Sequence, residues 1–199
     1  MSVPLALTLG YLVGAFPSAD IVARLRGTRI QEVGSGNVGA MNTARNLGWV
    51  WGLTVFALDV GKGALAAYVG LFVGSFADSA VISGLAAGVG AVWGHIWSPY
   101  IGFRGGKGLA TTLGVALPLY PLGGLSGFAL LIVLVLLLRR VALAGVVLAL
   151  LYPFAVHLAV GLGGAAPEFL WLTTLSAALI ALAVGAKHVP SLKGDKPIF

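Results

Sequence analysis

Charged residues are scarce in this sequence, and cysteine is absent. Asp, Glu, Lys and Arg make up 9% of the 199 residues, whereas hydrophobic residues make up 59%. A water-soluble domain carries about 25% charged residues, so a chain this poor in charge cannot cover its own surface in water. The lack of Cys excludes disulfides, thiolate nucleophiles and cysteine-based metal centres. The composition predicts an integral membrane protein, with residues 1–199 forming one domain.

Apolar stretches of about 20 residues, the length that a spanning helix needs, recur along the chain. They cover 3–23, 49–73, 80–97, 109–138, 141–162 and 169–186. The first lacks a basic leader and a small-residue cleavage site, so we interpret it as a retained span. The fourth carries Pro118, Pro121, Gly123 and Gly124 at its centre, where proline removes a backbone donor and glycine favours a turn. We therefore predict a hairpin at 118–124 and an all-α fold of seven transmembrane helices.

The basic residues support seven spans independently, because cytoplasmic loops collect Lys and Arg. With seven spans, every Lys and Arg except Lys62 falls on one side of the membrane. With six spans, several of them would lie on the opposite side, namely Arg139, Arg140, Lys187, Lys193 and Lys196. The charge pattern thus predicts an outside N-terminus and a cytoplasmic C-terminus.

The loop at residues 31–48, here called the first polar segment, is rich in glycine and neutral polar residues. Its candidate site residues are Ser35, Gly36, Asn37, Asn42, Thr43 and Arg45. Glycines allow tight turns that point N–H groups at an anion, the Ser, Asn and Thr side chains add hydrogen bonds, and arginine adds a planar charged group. This combination suits a phosphorylated ligand. The alternative is a turn-rich connector in which Ser35 and Asn37 only cap a helix.

Residues 102–112, the second polar segment, lead into a predicted helix from the cytoplasmic side. The candidate phosphate ligands are Arg104, Gly105, Gly106, Lys107 and Gly108. The helix N-terminus adds unpaired N–H groups and partial positive charge, which is the geometry of an anion site. A Walker A loop is excluded because Ile101 occupies its first glycine position and Gly108 follows the lysine. Nucleotide hydrolysis is therefore disfavoured, and a positively charged helix start with flexible glycines is the alternative.

The third polar segment, residues 188–195, follows the last predicted span and contains His188, Ser191, Lys193 and Asp195. Histidine changes protonation near neutral pH and donates hydrogen bonds to oxyanions. A histidine at the membrane edge also occurs without any such role, so this segment alone decides little.

Two charged residues, Asp59 and Lys62, lie inside the second predicted span. Each costs about 2.5 to 3.5 kcal/mol near the bilayer centre, so both should face the protein interior. Their spacing allows an ion pair within one helix. They are interpreted either as that structural pair or as the buried end of a pocket or an ion path. His95 and His157 are interpreted as packing or interface residues.

Several common catalytic patterns are missing. No His is followed by Asp five residues later, and Ser35 does not lie in a G-x-S-x-G turn. No His or carboxylate cluster has metal-ligand spacing, so we expect neither a metal nor a cofactor. The chemistry left is positioning and electrostatic catalysis on phosphate groups at the membrane surface.

Four runs of residues resemble, in order, the bacterial acyl-phosphate:glycerol-3-phosphate acyltransferase family (PlsY). They are 34–45, 59–63, 94–95 and 103–111. The resemblance covers the whole chain and implies an enzyme of phospholipid synthesis in the bacterial inner membrane. It implies seven spans, an active site on the cytoplasmic face, and acyl transfer from acyl phosphate to the 1-hydroxyl of glycerol 3-phosphate. The expected partners are these two substrates and membrane lipid, without nucleic acid, and the protein is expected to be a monomer.

The resemblance also implies roles for particular residues. Ser35, Asn37, Arg45, Lys107 and His188 correspond to catalytic positions, whereas the remaining candidates and Lys62 are expected to bind substrate. The third polar segment departs from the family, because Ser191 stands where an Asn is usual and the basic tail is shorter. The sequence leaves open whether the hydroxyl proton passes to a substrate phosphate or to His188.

Two other functional classes stay open at this point. A seven-span transporter of an organic phosphate would use Asp59 and Lys62 as a gate and would give flux without product. A membrane scaffold would give neither flux nor turnover.

Overall fold

A computed structural model describes residues 1–77 and 79–194, and every regular element in those ranges is helical. The helices are α1 (Ser2–Gly14), α2 (Ser18–Leu25), α3 (Ala40–Leu47), α4 (Trp49–Ser75), α5 (Ala80–Ile96), α6 (Leu109–Leu119), α7 (Pro121–Leu138), α8 (Val141–Leu162) and α9 (Pro167–His188). Short 3₁₀ turns lie at Ile30–Glu32, Pro99–Ile101 and Val189–Gly194. The all-α prediction is confirmed for the described residues, and Asp195 and Lys196 lie outside them.

Six stretches of the described chain are long and apolar enough to cross a membrane. They are Ser2–Leu25, Trp49–Ser75, Ala80–Ile101, Pro121–Leu138, Val141–Leu162 and Pro167–Gly194. Helix α6 has 11 residues, which makes it about 16 Å long. That length is well short of the roughly 30 Å hydrocarbon core, so α6 does not meet the criterion alone.

The first apolar stretch, predicted as one span over 3–23, is one candidate span made of two helices. Helix α1 ends at Gly14 and α2 begins at Ser18, with Pro17 between them. Proline lacks the N–H that would continue the helical hydrogen bonds. The carbonyls exposed at the break are used elsewhere: Ala15 O accepts from Ser98 Oγ at 2.5 Å, and Phe16 O accepts from Lys62 Nζ at 2.8 Å.

The predicted break in the fourth apolar stretch is confirmed, but it is narrower than 118–124. Tyr120 alone separates α6 from α7, with φ −152° and ψ 71°. A Cβ added at Gly124 would lie 2.7 Å from the Ala116 side chain, which requires the chain to double back. Gly123 and Gly124 lie at the start of α7. The absence of a side chain at Gly124 lets α6 approach α7.

Helices α1 and α5 pack backbone to backbone. A Cβ at Gly10 or Gly14 would collide with the main chain of Ala87 or Ala91, and one at Gly94 would lie 2.9 Å from the Ala15 nitrogen. Small residues allow this close approach, which is a common way for helices to associate in membranes. The contact holds the C-terminal end of α5 against the break between α1 and α2.

The two ends of the bundle differ in chemistry. At one end, Ser2 Oγ of α1 lies 2.8 Å from Ser79 Oγ before α5. At the other end, the Gln31 side-chain amide donates to Arg104 O at 3.3 Å and so joins the first and second polar segments. A core of α4, α5, α6 and α9 residues lies between the ends, including Val92, Val115 and Ile180. The polar segments therefore gather at the end opposite the N-terminus.

Candidate active site

The first polar segment is folded around one buried amide, that of Asn42. Its Nδ2 donates to Ile30 O at 3.3 Å and Val33 O at 3.1 Å, and its Oδ1 accepts from the Ser35 N–H at 3.0 Å. Gly36 supports the tight turn with φ +68°, a conformation that side chains rarely adopt. Asn42 therefore shapes the loop, since its polar atoms are bonded inside the protein.

This fold presents some candidate residues to solvent and buries others. Ser35 and Arg45 are exposed and Asn37 is half-buried. Ser35 Oγ accepts from the Asn37 N–H at 3.4 Å, which brings two of the predicted catalytic residues together. Thr43 is buried, and its hydroxyl donates to Gly39 O at 3.1 Å. Asn42 and Thr43 thus contribute to the site through the loop they hold, and direct binding by either stays a prediction.

The second polar segment is bonded to the end of α5. The Gly105 N–H donates to Ile96 O and the Gly106 N–H donates to His95 O, each at 3.1 Å. A Cβ at Gly106 would collide with both the His95 ring and the Val38 carbonyl. Only glycine fits this position, where the backbone of the second segment passes between α5 and the first segment.

Helix α6 begins at Leu109, directly after this loop. Gly108 precedes it with φ +88°, in the left-handed region that favours glycine. The half-buried Lys107 and the exposed Arg104 therefore lie beside the N-terminus of a helix, as the sequence predicts. A helix N-terminus carries partial positive charge, so the local field favours an anion here.

The third polar segment meets the others through α9. His188 is fully buried, and its Nδ1 donates to Val184 O at 2.8 Å. Its ring lies where a Cβ of Gly145 would be, so a glycine of α8 makes room for it. A Cβ at Gly108 would lie 3.2 Å from Val184, one turn before His188. Ser191 follows, half-buried in the last 3₁₀ turn.

A buried ion pair lies beneath the two loops. Lys62 Nζ is 2.8 Å from Asp59 Oδ1, with the side chains 7% and 3% exposed. His95 Nδ1 lies 3.6 Å from the same carboxylate oxygen. The structure thus contains the Asp59–Lys62 ion pair, which was one of the two interpretations of these residues from the sequence. A small cavity touches this pair and also Val38, Gly105 and Gly106 of the two loops.

His95, interpreted from the sequence as a packing or interface residue, lies at the end of α5 with its ring against Gly106 of the second polar segment. This position makes it a further candidate for the site. His157, in contrast, is a packing histidine as predicted. Its ring centroid lies 5.1 Å from that of Trp171, and its Nδ1 lies 3.0 Å from Thr174 Oγ1.

An apolar cavity extends from the polar site into the bundle. It lies between α6, α7, α8 and α9 and is lined mainly by apolar side chains. At the end nearest the polar segments the cavity is lined by Leu109, the first residue of α6, and by Val184. Farther into the bundle it is lined by Gly127 and Tyr152. The cavity is therefore lined in part by the second polar segment, and its lining residue Val184 lies one helical turn before the third.

Known proteins are similar to this chain in sequence and in fold. Glycerol-3-phosphate acyltransferase 1 of Deinococcus radiodurans is 44% identical over 138 residues, which are 69% of this chain and 68% of that protein. The glycerol-3-phosphate acyltransferase of Desulforudis audaxviator is 37% identical over 189 residues, which are 94% of this chain and 89% of that protein.

Crystal structures of PlsY, described as an integral membrane glycerol 3-phosphate acyltransferase, have the same fold. The glycerol 3-phosphate form superposes with a TM-score of 0.76 at 30% identity, covering 99% of this chain and 96% of PlsY. A lysophosphatidic acid form matches equally well, with a TM-score of 0.76. With its apolar helices, this chain is a multi-pass membrane protein. The family model described as glycerol-3-phosphate acyltransferase matches residues 4–194, so the chain belongs to the glycerol-3-phosphate acyltransferase family.

Proposed function

We propose that this protein transfers a fatty acyl group from acyl phosphate to the 1-hydroxyl of glycerol 3-phosphate. The products are lysophosphatidic acid and inorganic phosphate, and the reaction is the first step of phospholipid synthesis. The observation that carries the proposal is that the second polar segment, which contacts the first at Gly106 and Val38, also lines an apolar cavity through Leu109 and Thr112. A water-soluble phosphorylated acceptor and a donor with a long acyl chain need such a junction.

The acceptor approaches the exposed side of the first polar segment. Arg45 offers a planar cation that matches phosphate oxygens in a bidentate manner. Ser35 and Asn37, which are already within hydrogen-bond distance of each other, orient the glycerol hydroxyls. Gly36 lets the backbone come close to the ligand.

The donor lies across the second polar segment. Its phosphate group binds to Lys107 and to the N-terminal N–H groups of α6, and Arg104 lies beside them. Its acyl chain enters the apolar cavity at Leu109 and runs between the helices. This placement brings the acyl carbonyl to the boundary between the cavity and the polar segments.

The chemistry exchanges one acyl–oxygen bond for another. The acceptor oxygen bonds to the acyl carbon, the bond from that carbon to the phosphate oxygen breaks, and phosphate leaves. Positive groups beside the developing negative charge lower the barrier without a strong general acid. Because His188 is fully buried and its Nδ1 is bonded to Val184 O, we assign the hydroxyl proton to a substrate phosphate.

Reconstitution of purified protein in sealed lipid vesicles tests the proposal. Given glycerol 3-phosphate and palmitoyl phosphate, the vesicles should form lysophosphatidic acid and phosphate in equal amounts. Palmitoyl-coenzyme A in place of palmitoyl phosphate should give no product. Product from the thioester alone would contradict the donor assignment. Uptake of glycerol 3-phosphate without product would identify a transporter, and neither product nor uptake would identify a scaffold.

We expect direct transfer, with no acyl-enzyme. A covalent route needs a nucleophile beside a base, and within residues 1–77 and 79–194 the Ser35 hydroxyl is bonded to a backbone N–H and not to a histidine. The protein should therefore remain unmodified when it is incubated with donor alone, quenched and measured by intact mass. An acyl adduct on Ser35 that forms and decays as fast as turnover would contradict this expectation.

The membrane arrangement we propose has seven transmembrane helices, an outside N-terminus and all three polar segments facing the cytoplasm of the bacterial inner membrane. Two observations support it: the chain reverses at Tyr120, and Ser2 lies at the end of the bundle away from the polar segments. The protein is proposed to act as a monomer.

Single-cysteine labelling tests this arrangement, and the natural chain has no Cys that must first be removed. Ser2→Cys, Ser79→Cys and Ala166→Cys should react with an impermeant maleimide from outside. Ser35→Cys and Ser191→Cys should react only after the cells are opened. Reaction of Ala166→Cys and Ser35→Cys from the same side would refute the seven-helix arrangement.

A further inference from the structure

The buried cluster beneath the two polar loops has no role in the acyl transfer described above. Asp59, Lys62 and His95 are each less than a tenth exposed, at 2%, 7% and 7%. Burying charged groups is costly unless they are paired and hydrogen-bonded. The ion pair alone would satisfy that requirement, so the location of His95 against the pair calls for a separate explanation.

Lys62 is held in place from two sides. Its ammonium group contacts Asp59 Oδ1 and donates to Phe16 O, both at 2.8 Å. Phe16 lies at the break between α1 and α2, where the backbone leaves the helical pattern. These two bonds use two of its three N–H donors, and we assign to Lys62 the role of holding Asp59.

His95 connects this pair to the second polar segment. Its Nδ1 faces Asp59 Oδ1 at 3.6 Å, while its Nε2 edge lies against Gly106. Its own carbonyl accepts the Gly106 N–H at 3.1 Å. On its other side, Gly106 meets the Val38 carbonyl of the first segment. One imidazole therefore sets how closely the two loops approach.

We propose that His95 is a positioning residue for the acyltransfer reaction, and that Asp59, held by Lys62, fixes its ring. The ring supports Gly106 from beneath, and Lys107 is the next residue along the chain. A change in the ring therefore displaces the Lys107 backbone and widens the gap to the first segment. Fixed orientation of groups around the reacting atoms supplies much of the rate of such reactions. This inference rests on the proposed function, since it concerns the same site.

His95→Gln is the variant that tests the proposal. Glutamine places an amide near the Nε2 position but cannot keep the contact of Nδ1 with Asp59. We expect a folded, monodisperse protein with kcat/KM at least tenfold below wild type. The matched control is His157→Gln, a histidine of similar type at the far end of α8, which should stay within twofold of wild type.

A double-mutant cycle separates positioning from general packing. If Asp59 acts through His95, the variant carrying both Asp59→Asn and His95→Gln should lose no more kcat/KM than the worse single variant. Independent losses that multiply would overturn the proposed connection. The proposal would also be overturned by His95→Gln turnover within twofold of wild type, or by a loss no larger than the loss of folded protein.

A second variant tests the proposal if His95→Gln fails to fold. This variant leaves no buried charge without its partner. Asp59→Asn with Lys62→Met removes both charges together, which avoids the cost of an unpaired ion. It keeps His95 without its carboxylate, and kcat/KM should again fall at least tenfold in folded protein. Failure of both variants to fold would make the cluster purely structural and would overturn the proposal. Wild-type protein is assayed alongside. If the wild-type protein itself shows no turnover, the proposed function is refuted, and the role of His95 is not the cause.

Discussion

Lys107→Ala should lose most of the acyltransfer activity. The lysine precedes Gly108, the N-cap residue of α6, and lies beside the N-terminus of that helix. There it adds a full positive charge to the partial charge of the helix end. Removing a comparable stabilising group from an enzyme site costs about 2 to 4 kcal/mol of transition-state stabilisation, or roughly 30- to 1000-fold in rate. The measurement is the initial rate of lysophosphatidic acid formation by purified, monodisperse protein.

Arg140→Ala is the matched control for Lys107→Ala. Arg140 is an exposed cation that directly precedes α8, and it takes no part in the proposed site. Its replacement should leave the rate within about twofold, because isolated surface charges contribute little. Near-normal turnover by folded Lys107→Ala would exclude a role for the lysine in binding phosphate.

Gly94→Ala should destabilise the whole bundle. The new Cβ would meet the Tyr11 carbonyl, with the Ala15 nitrogen 2.9 Å away. These are main-chain atoms of the α1 region that cannot rotate aside, so α1 and α5 must separate. Alanine gains about 1 kcal/mol of helix propensity over glycine, but overpacking typically costs about 1 to 3 kcal/mol and sometimes more. Because the clash involves backbone, we expect a net loss of about 2 kcal/mol.

Thermal unfolding in detergent checks this expectation, with Gly61→Ala as the control. Gly61 lies in α4, and an added Cβ there meets nothing within 4 Å. That variant should unfold at or slightly above the wild-type temperature, whereas Gly94→Ala should unfold several degrees lower. Equal transition temperatures for the two variants would show that α1 and α5 separate at little cost.

The gathering of the three polar segments could be predicted because it depends on chain direction. Each crossing of the membrane reverses the chain, so the distribution of Lys and Arg constrains which loops share a face. The turn near Tyr120 was likewise marked by Pro118 and Pro121. Local patterns of charge and proline carry this kind of information without any knowledge of tertiary contacts.

The contacts within the site could not be predicted in the same way. The bonds from Lys62 to Phe16, from His95 to Gly106 and from Asn42 to Ile30 join residues whose pairing leaves no local signal. Gly145 shows the same limit, since it reads as one more small residue of an apolar helix until His188 is placed against it. A histidine or glycine acquires its role from a neighbour that is distant in sequence.

The break between α1 and α2 has a consequence for how the protein is assembled in the bilayer. Helix α1 has 13 residues and is about 20 Å long, too short to cross a bilayer by itself. The N-terminal segment leaves the ribosome before Lys62 has been synthesised, and at that stage the Phe16 carbonyl can accept only the Ser18 N–H, which lies 3.0 Å away. Pro17 cannot continue a straight helix. We therefore expect residues 2–25 to insert already bent, and the bond from Lys62 to fix the bend when α4 arrives.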